Sequence, residues 1–349
     1  MKVYTYNNKI KLTVHQSQLN ITIGDRSFNA LFPKFEIDLT KTPKGFFDLM
    51  MYILFYGLES IDITKTSIET TGDEKITSYS GGADSTALLF AHDGIPVHIY
   101  RVYDYVYGEM QLNAVKNVGA MLINTDFELI RTLYGKPHGF NVGVGYGCLY
   151  MPLLHHLGAN KLQFGVVFDD LAFNFGNPFS YNNDFTNTRL YKIRETLNRF
   201  GIDITLPLAG YSEVLTTQIA DFSGIPYTSC HVGIGVRHCN ECIKCFRKQG
   251  AKGKQLDLTA QPLKKRVHNL LTKYPLKMAA VTVYAIQKAG YGFDMYNNID
   301  VSFCERVNRT ITKTFYKDES KYFDWQTPED LENIKKFVDF INDKRLYRV

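Results

Sequence analysis

Hydrophobic and polar residues alternate in two runs near the N-terminus, Lys9-Ile10-Lys11-Leu12-Thr13-Val14 and Leu19-Asn20-Ile21-Thr22-Ile23. A period of two marks short strands with one buried face, and the Asn and Gly residues between them mark tight turns. Residues 1 to about 40 therefore read as β-rich. Thr42-Pro43 then opens a helix to about Leu58, with proline in its first turn. From Lys75 the pattern alternates between strand and helix. It predicts strands at 75–79, 97–101, 120–124, 161–167 and 203–206, with helices at 85–92, 109–118, 147–157, 187–200 and 212–222. Strands separated by helices of this length argue for an α/β fold, a doubly wound parallel sheet with helices on both faces. Ligands of such sheets sit at the carboxyl ends of the strands. The segment 174–187, rich in Asn, Phe and Tyr, reads either as a substrate lid or as a surface loop. From Pro262 the period is helical, with helices near 263–273, 276–290, 301–314 and 328–344; Thr327-Pro328-Glu329-Asp330 caps the last of them. The expected organisation is a β-rich extension plus helix at 1–70, an α/β domain at 71–250 and a helical region at 251–349.

Composition changes this picture little. The 349 residues are 45% hydrophobic and 21% charged, the proportions of an ordinary folded globule. The net charge of +5 is mild; it suits an anionic ligand and is modest for a nucleic-acid binder. Eleven Lys or Arg residues against two acids fall within 237–277. The N-terminus lacks the apolar core of a signal peptide, and the most apolar window, 46–58, is short and contains Asp48. The expectation is a cytoplasmic protein with no membrane span.

Chemistry concentrates in two places. The first is Ser80-Gly81-Gly82-Ala83-Asp84-Ser85, between a predicted strand and a predicted helix. Glycine lets a backbone turn tightly and approach a ligand, and the first amides of a helix are unpaired and favour negative charge. The hydroxyls of Ser80, Ser85 and Thr86 add donors for phosphate oxygens. No Gly-Lys-Ser/Thr follows, so this is not the Walker pattern.

The second is Cys230, Cys239, Cys242 and Cys245, spaced C-x8-C-x2-C-x2-C. Four thiolates at this spacing suit a tetrahedral zinc ion. An iron–sulfur cluster and a free redox pair are the alternatives. Four protein ligands leave no open position, so the metal would be structural. His138, His155 and His156 read as packing or solvent histidines rather than catalysts.

The six-residue glycine loop resembles the pyrophosphate loop (PP-loop) of the ATP pyrophosphatases. Together with the cysteine pattern some 150 residues later, it resembles 7-cyano-7-deazaguanine synthase of the queuosine precursor pathway. Leu206-Pro207-Leu208, Gly224-Ile225-Pro226, Tyr227-Thr228-Ser229-Cys230 and Arg247 extend the similarity, which covers about 75–250. The departures fall in the substrate-reading segments. Val102-Tyr103-Asp104-Tyr105 replaces the family's Tyr-Gly-Gln-Arg, although a glutamate survives as Glu109. Val144-Gly145-Tyr146-Gly147 replaces Pro-Gly-Arg-Asn, no Tyr-Pro-Asp-Cys occurs near Asp169-Asp170, and Glu213 stands where a lysine is expected.

The resemblance implies an adenine nucleotide α-hydrolase-like fold and an ATP-dependent ligase that forms a carbon–nitrogen bond. ATP would lie on Ser80, Gly81, Gly82, Asp84, Ser85 and Thr86, with Mg2+ at Asp84, and Asp84 and Ser85 would be catalytic. The substrate would be a small 7-carboxy-7-deazaguanine-like acid, with ammonia as amine donor. Two alternatives share this chemistry: attachment of the deazaguanine to a protein or other macromolecular amine, and a tRNA-modifying PP-loop enzyme. A fourth is a binding module without catalysis, against which the intact loop argues. A homodimer is compatible with all of them.

Overall fold

The structure, a computed structural model, describes residues 1–32, 37–70, 72–101, 108–140, 145–168, 189–230, 242–254 and 279–290, with shorter pieces at 173–174, 177–178, 239, 265 and scattered positions between 301 and 336. The alternating N-terminal runs form four antiparallel strands, β1 (Lys2–Tyr6), β2 (Ile10–Val14), β3 (Gln18–Ile23) and β4 (Arg26–Leu31). The β1–β2 turn uses Asn7 and Asn8 at φ 51° and 57°, a conformation asparagine tolerates better than most side chains. One face of these strands is buried through Ile10, Leu12, Val14, Leu19 and Ile21. Against the same core lies α1 (Lys44–Leu54), whose Phe46, Phe47, Met50 and Met51 are fully buried. Asp48 on α1 is buried as well; Tyr6, Lys44 and Thr66 all donate to its carboxylate.

The strand–helix alternation beyond residue 70 is realised element by element. It gives β5 (Glu74–Ser78), α2 (Ala83–Ala91), β6 (Ile95–Arg101), α3 (Gly108–Asn117), β7 (Met121–Thr125), α4 (Met151–Leu157) and β8 (Ala159–Gln163). A small hairpin, β9 (Phe173–Asn174) and β10 (Asn177–Pro178), precedes α5 (Arg189–Asn198), β11 (Asp203–Thr205) and α6 (Glu213–Phe222). Two further helices are α7 (Ile243–Ala251) and α8 (Ala279–Lys288). The helices expected near 263–273 and 301–344 lie largely outside the described residues, as does most of 174–187.

The sheet corrects the expected fold class. It is not a doubly wound parallel sheet with a separate β extension. It is one mixed nine-stranded sheet in the order β1-β2-β3-β4-β7-β6-β5-β8-β11. Strands β7, β6, β5, β8 and β11 run parallel, while β1 to β4 are antiparallel and β4 joins β7 antiparallel through Ala30↔Thr125 and Leu31↔Asn124. The physical reason lies at the free edge of β7. An unpaired edge exposes a row of backbone donors and acceptors, and here the N-terminal meander covers it. Two side chains fasten the seam: Thr125 Oγ1 donates to the Asn29 carbonyl at 3.0 Å, and Asp126 Oδ1 accepts from the Asn29 amide at 2.5 Å.

The meander supplies five fully buried aliphatic side chains to the shared core. At about 2 kcal/mol each, their loss is comparable with the whole stability of a domain, about 5–15 kcal/mol. A chain beginning at residue 37 is expected to be insoluble or to lack a cooperative unfolding transition. A soluble, cooperatively melting fragment would show that the parallel strands do not need the meander.

Candidate anion loop and cysteine cluster

Strand β5 delivers the chain to the loop at the carboxyl end of the parallel strands. The turn requires φ +75° at Gly81, a region where a Cβ is strained. Gly82 is the N-cap of α2 with an extended backbone. The serines knit the loop: Ser85 Oγ accepts from the Ser80 amide at 3.2 Å and donates to the Gly82 carbonyl at 3.1 Å, while the two serine hydroxyls lie 3.1 Å apart. Ala83, Asp84 and Ser85 form the first turn of α2, whose amides have no carbonyl within the helix to bond. Gly165, just past β8, runs so close that a Cβ there would meet the Asp84 carbonyl and the Ser85 amide at 3.3 Å. Thr86 is fully buried, its hydroxyl 3.3 Å from that of Tyr79. Ser80, Gly81, Gly82, Asp84 and Ser85 thus share one loop, and Thr86 faces the core behind it.

The cysteines also converge. The sulfurs of Cys230, Cys239, Cys242 and Cys245 all lie within 4.8 Å of one another. Cys239 Sγ and Cys245 Sγ are 3.9 Å apart, too far for a disulfide. Four sulfurs about 2.3 Å from a tetrahedral ion are about 3.8 Å from each other, so the set can hold a metal such as zinc. Backbone amides point at the sulfurs as they would at thiolates: Cys239 N to Cys230 Sγ at 3.3 Å, Cys242 N to Cys239 Sγ at 3.2 Å and Cys245 N to Cys242 Sγ at 3.4 Å. The last of these makes Cys242 the N-cap of α7.

Two links join the loop to the cluster. Thr228, two residues before Cys230, donates its amide to the Gly81 carbonyl at 2.8 Å. The other link is α7, where Lys244, Arg247 and Lys248 fall at i, i+3 and i+4 and share one face. Lys248 Nζ donates to Thr217 Oγ1 at 2.9 Å and lies 3.0 Å from Glu213 Oε1 and 3.5 Å from Asp84 Oδ1. Arg247 lies 3.5 Å from the other Glu213 oxygen. Thr216 donates to Asp84 Oδ1 at 2.6 Å. Glu213, Arg247 and Lys248 are all buried.

This burial sets the protonation states. It pushes the Glu213 carboxyl up, but Arg247 and then Lys248 outweigh it and hold the group down, at about 2. Burial likewise pulls the Lys248 ammonium down, and Asp84 and Glu213 outweigh it, so its proton is held more tightly than usual. Lys244 goes the other way: burial and the neighbouring Arg247 lower it. Arg247 and Lys248 therefore face the carboxylates of Glu213 and Asp84 as charged partners.

Of these residues, the resemblance pointed to Gly81, Asp84, Thr228, Arg247 and Glu213, the last as a missing lysine, but not to Lys248, Thr216 or Thr217. Lys248 brings an ammonium to that place from another helix. The signal was present in the i, i+3, i+4 spacing after Cys242, but a basic helix face usually reads as solvated surface. The histidines lie elsewhere: His156 Nε2 is 2.8 Å from Thr42 Oγ1, the His155 ring packs at 5.8 Å from that of Phe46, and His138 is exposed. The segments around Val102–Tyr105 and Asp169-Asp170 lie outside the described residues. Among the described residues no helix is long and apolar enough to cross a membrane.

A family model described as a family of unknown function (DUF6395) matches residues 192–338, a span that takes in α6, the four cysteines and α7 but not the glycine loop. No curated protein and no solved structure matches the chain.

The folded value of Glu213 lies below the ordinary 4.5. Its contribution to stability is therefore fully present above about pH 4.5 and is lost as pH falls toward 2. Glu213→Gln leaves two buried cations short of a partner and should cost about 3 kcal/mol at neutral pH. The variant should also lose that part of the acid dependence, read as melting temperature against pH. A variant with the wild-type pH profile would show that the pairing contributes nothing.

Proposed function

We propose that the chain is an ATP-dependent ligase that activates a carboxylate by adenylation, in the manner of 7-cyano-7-deazaguanine synthase, with a structural zinc ion in the cysteine cluster. The observation that carries this is the convergence of a glycine loop at the end of a parallel strand with a buried lysine, Lys248, that reaches the first turn of α2 from α7. An anion with several phosphates suits that combination better than a single carboxylate or a neutral ligand does.

In this reading the β and γ phosphates of ATP take the amides of the loop and of the first turn of α2, with the hydroxyls of Ser80 and Ser85 as further donors. Mg2+, when bound by Asp84 and the phosphates, supplies charge neutralisation. The loop holds the α phosphorus in line with the substrate carboxylate, so the work is positioning and electrostatic clamping. A carboxylate oxygen attacks the α phosphorus, the bond to the bridging oxygen breaks, and pyrophosphate leaves. An amine nitrogen then attacks the acyl carbon, the bond to AMP breaks, and the amine gives up a proton. The side chains of Thr216 and Lys248 fix Asp84 in place without blocking its second oxygen.

The zinc assignment rests on the sulfur spacing. Four sulfurs this close surround a single ion and leave no room for several iron atoms. The small-molecule substrate is the reading we adopt over a macromolecular acceptor. The basic stretch at 237–277 would suit a large acidic partner, but Lys248 and Lys252 within it are committed to internal pairs, the latter with Asp221 at 2.5 Å.

Incubation with Mg–ATP, 7-carboxy-7-deazaguanine and ammonium should yield AMP, pyrophosphate and a product with one nitrogen more than the substrate in the mass spectrum. Asp84→Ala or Ser85→Ala should abolish turnover in protein that still melts cooperatively, although each also lowers the melting temperature by removing a contact to Lys248 or within the loop. ADP and inorganic phosphate as the nucleotide products would refute the mechanism. Elemental analysis should find about one zinc per chain, and iron in its place would overturn the metal assignment.

A further inference from the structure

Resting on the anion-site reading above, we infer that Lys248 is itself a phosphate-binding residue and that the metal-loaded cysteine cluster holds it in place, so that metal occupancy and polyphosphate affinity are coupled. Lys248 follows Cys245 by one helical turn, on a helix whose N-cap is another ligand, Cys242. A metal bound by these two cysteines fixes the start of α7 and with it the direction of the Lys248 stem. The far end of the helix is equally constrained. A Cβ at Gly250 would fall 2.5 Å from that of Ala285, so α7 and α8 cross in close contact. Between these two fixed points the ammonium has little freedom.

Its position relative to the loop is also set. Asp84 is the second residue of α2, and its carboxylate is 3.5 Å from Lys248 Nζ. The ammonium therefore stands beside the first turn of α2, where the helix amides point outward. Without ligand it is shared between Glu213, Thr217 and Asp84. Glu213 cannot satisfy the site alone, because Arg247 shares it. Once Asp84 turns to a divalent cation, Lys248 loses one of its two carboxylate partners, and a phosphate oxygen is the group that takes its place. The backbone provides a second tether from the cluster: Thr228, two residues before Cys230, holds the Gly81 carbonyl. Loss of the metal loosens the cationic wall and the glycine turn together.

The test uses inorganic pyrophosphate with Mg2+ as the probe and calorimetric affinity as the readout. In the zinc-loaded protein, Lys248→Met should weaken binding about thirty-fold, the usual effect of losing one charge-assisted hydrogen bond. Removing zinc with a chelator should weaken binding to wild type about ten-fold or more but weaken binding to Lys248→Met several-fold less, because only the Thr228 tether is left to transmit the loss. The converse is measured on folded, cobalt-substituted protein, in case the metal-free chain unfolds. Affinities are linked reciprocally, so pyrophosphate should slow the loss of the cobalt–thiolate absorption to a chelator in wild type and clearly less in Lys248→Met. Equal slowing in both proteins, or none in wild type while pyrophosphate still binds, would overturn the coupling and leave the anion site standing. Failure of the zinc-loaded protein to bind pyrophosphate at all would overturn both.

Discussion

A lysine ammonium buried between two carboxylates is the contact on which the site depends. Lys248 leaves water to reach Glu213 and Asp84, and a charge so placed is costly unless it is paired and hydrogen-bonded. Thr217 and Glu213 supply the hydrogen bonds, and Arg247 holds Glu213 ionised to receive them. Such a network is weak evidence for stability, because an apolar cluster of the same volume can do as well. It does fix positive charge at a defined distance from the first turn of α2. Surface lysines on long solvated stems could not do that.

The cysteine cluster makes sense as the means of holding that charge. An ion held by the four sulfurs would cross-link the segment at Thr228–Cys230 to the first turn of α7. The segment bonds the Gly81 carbonyl, and α7 carries Lys248 to Asp84. A metal with no open ligand position would thus bear on the loop through protein alone. The nine-stranded sheet supports the arrangement from the other side. Tyr150 reaches Ser78 at the end of β5 with a 3.0 Å hydrogen bond, and His98 on β6 lies 2.8 Å from the Tyr79 carbonyl.

Local order was legible from sequence wherever the determinant is local. The alternation in Ile10, Leu12 and Val14 marks β2 because side chains on a strand face opposite ways. Proline, glycine and serine punctuation likewise places the starts of α1, α2 and α6; Ser212 caps α6 by accepting from the Leu215 amide. The cysteine set was legible because its spacing is short. What the sequence hid is pairing at long range. Nothing near Ala30 announces that it sits beside Thr125, and that one pairing turns an expected parallel sheet with an extension into a single mixed sheet. Lys248 was missed for a related reason: a basic helix face looks solvated until Glu213 and Asp84 are brought to it.

The central claim is that a polyphosphate sits between the glycine loop and the cationic face of α7. Hydrogen–deuterium exchange with and without Mg–ATP tests it most directly, since it needs no knowledge of the second substrate. The account predicts slowed exchange in peptides covering the loop at 80–86, the start of α6 at 213–217 and α7 at 243–251, with little change in β1 to β4. Protection confined to other segments, or none at saturating nucleotide, would contradict it.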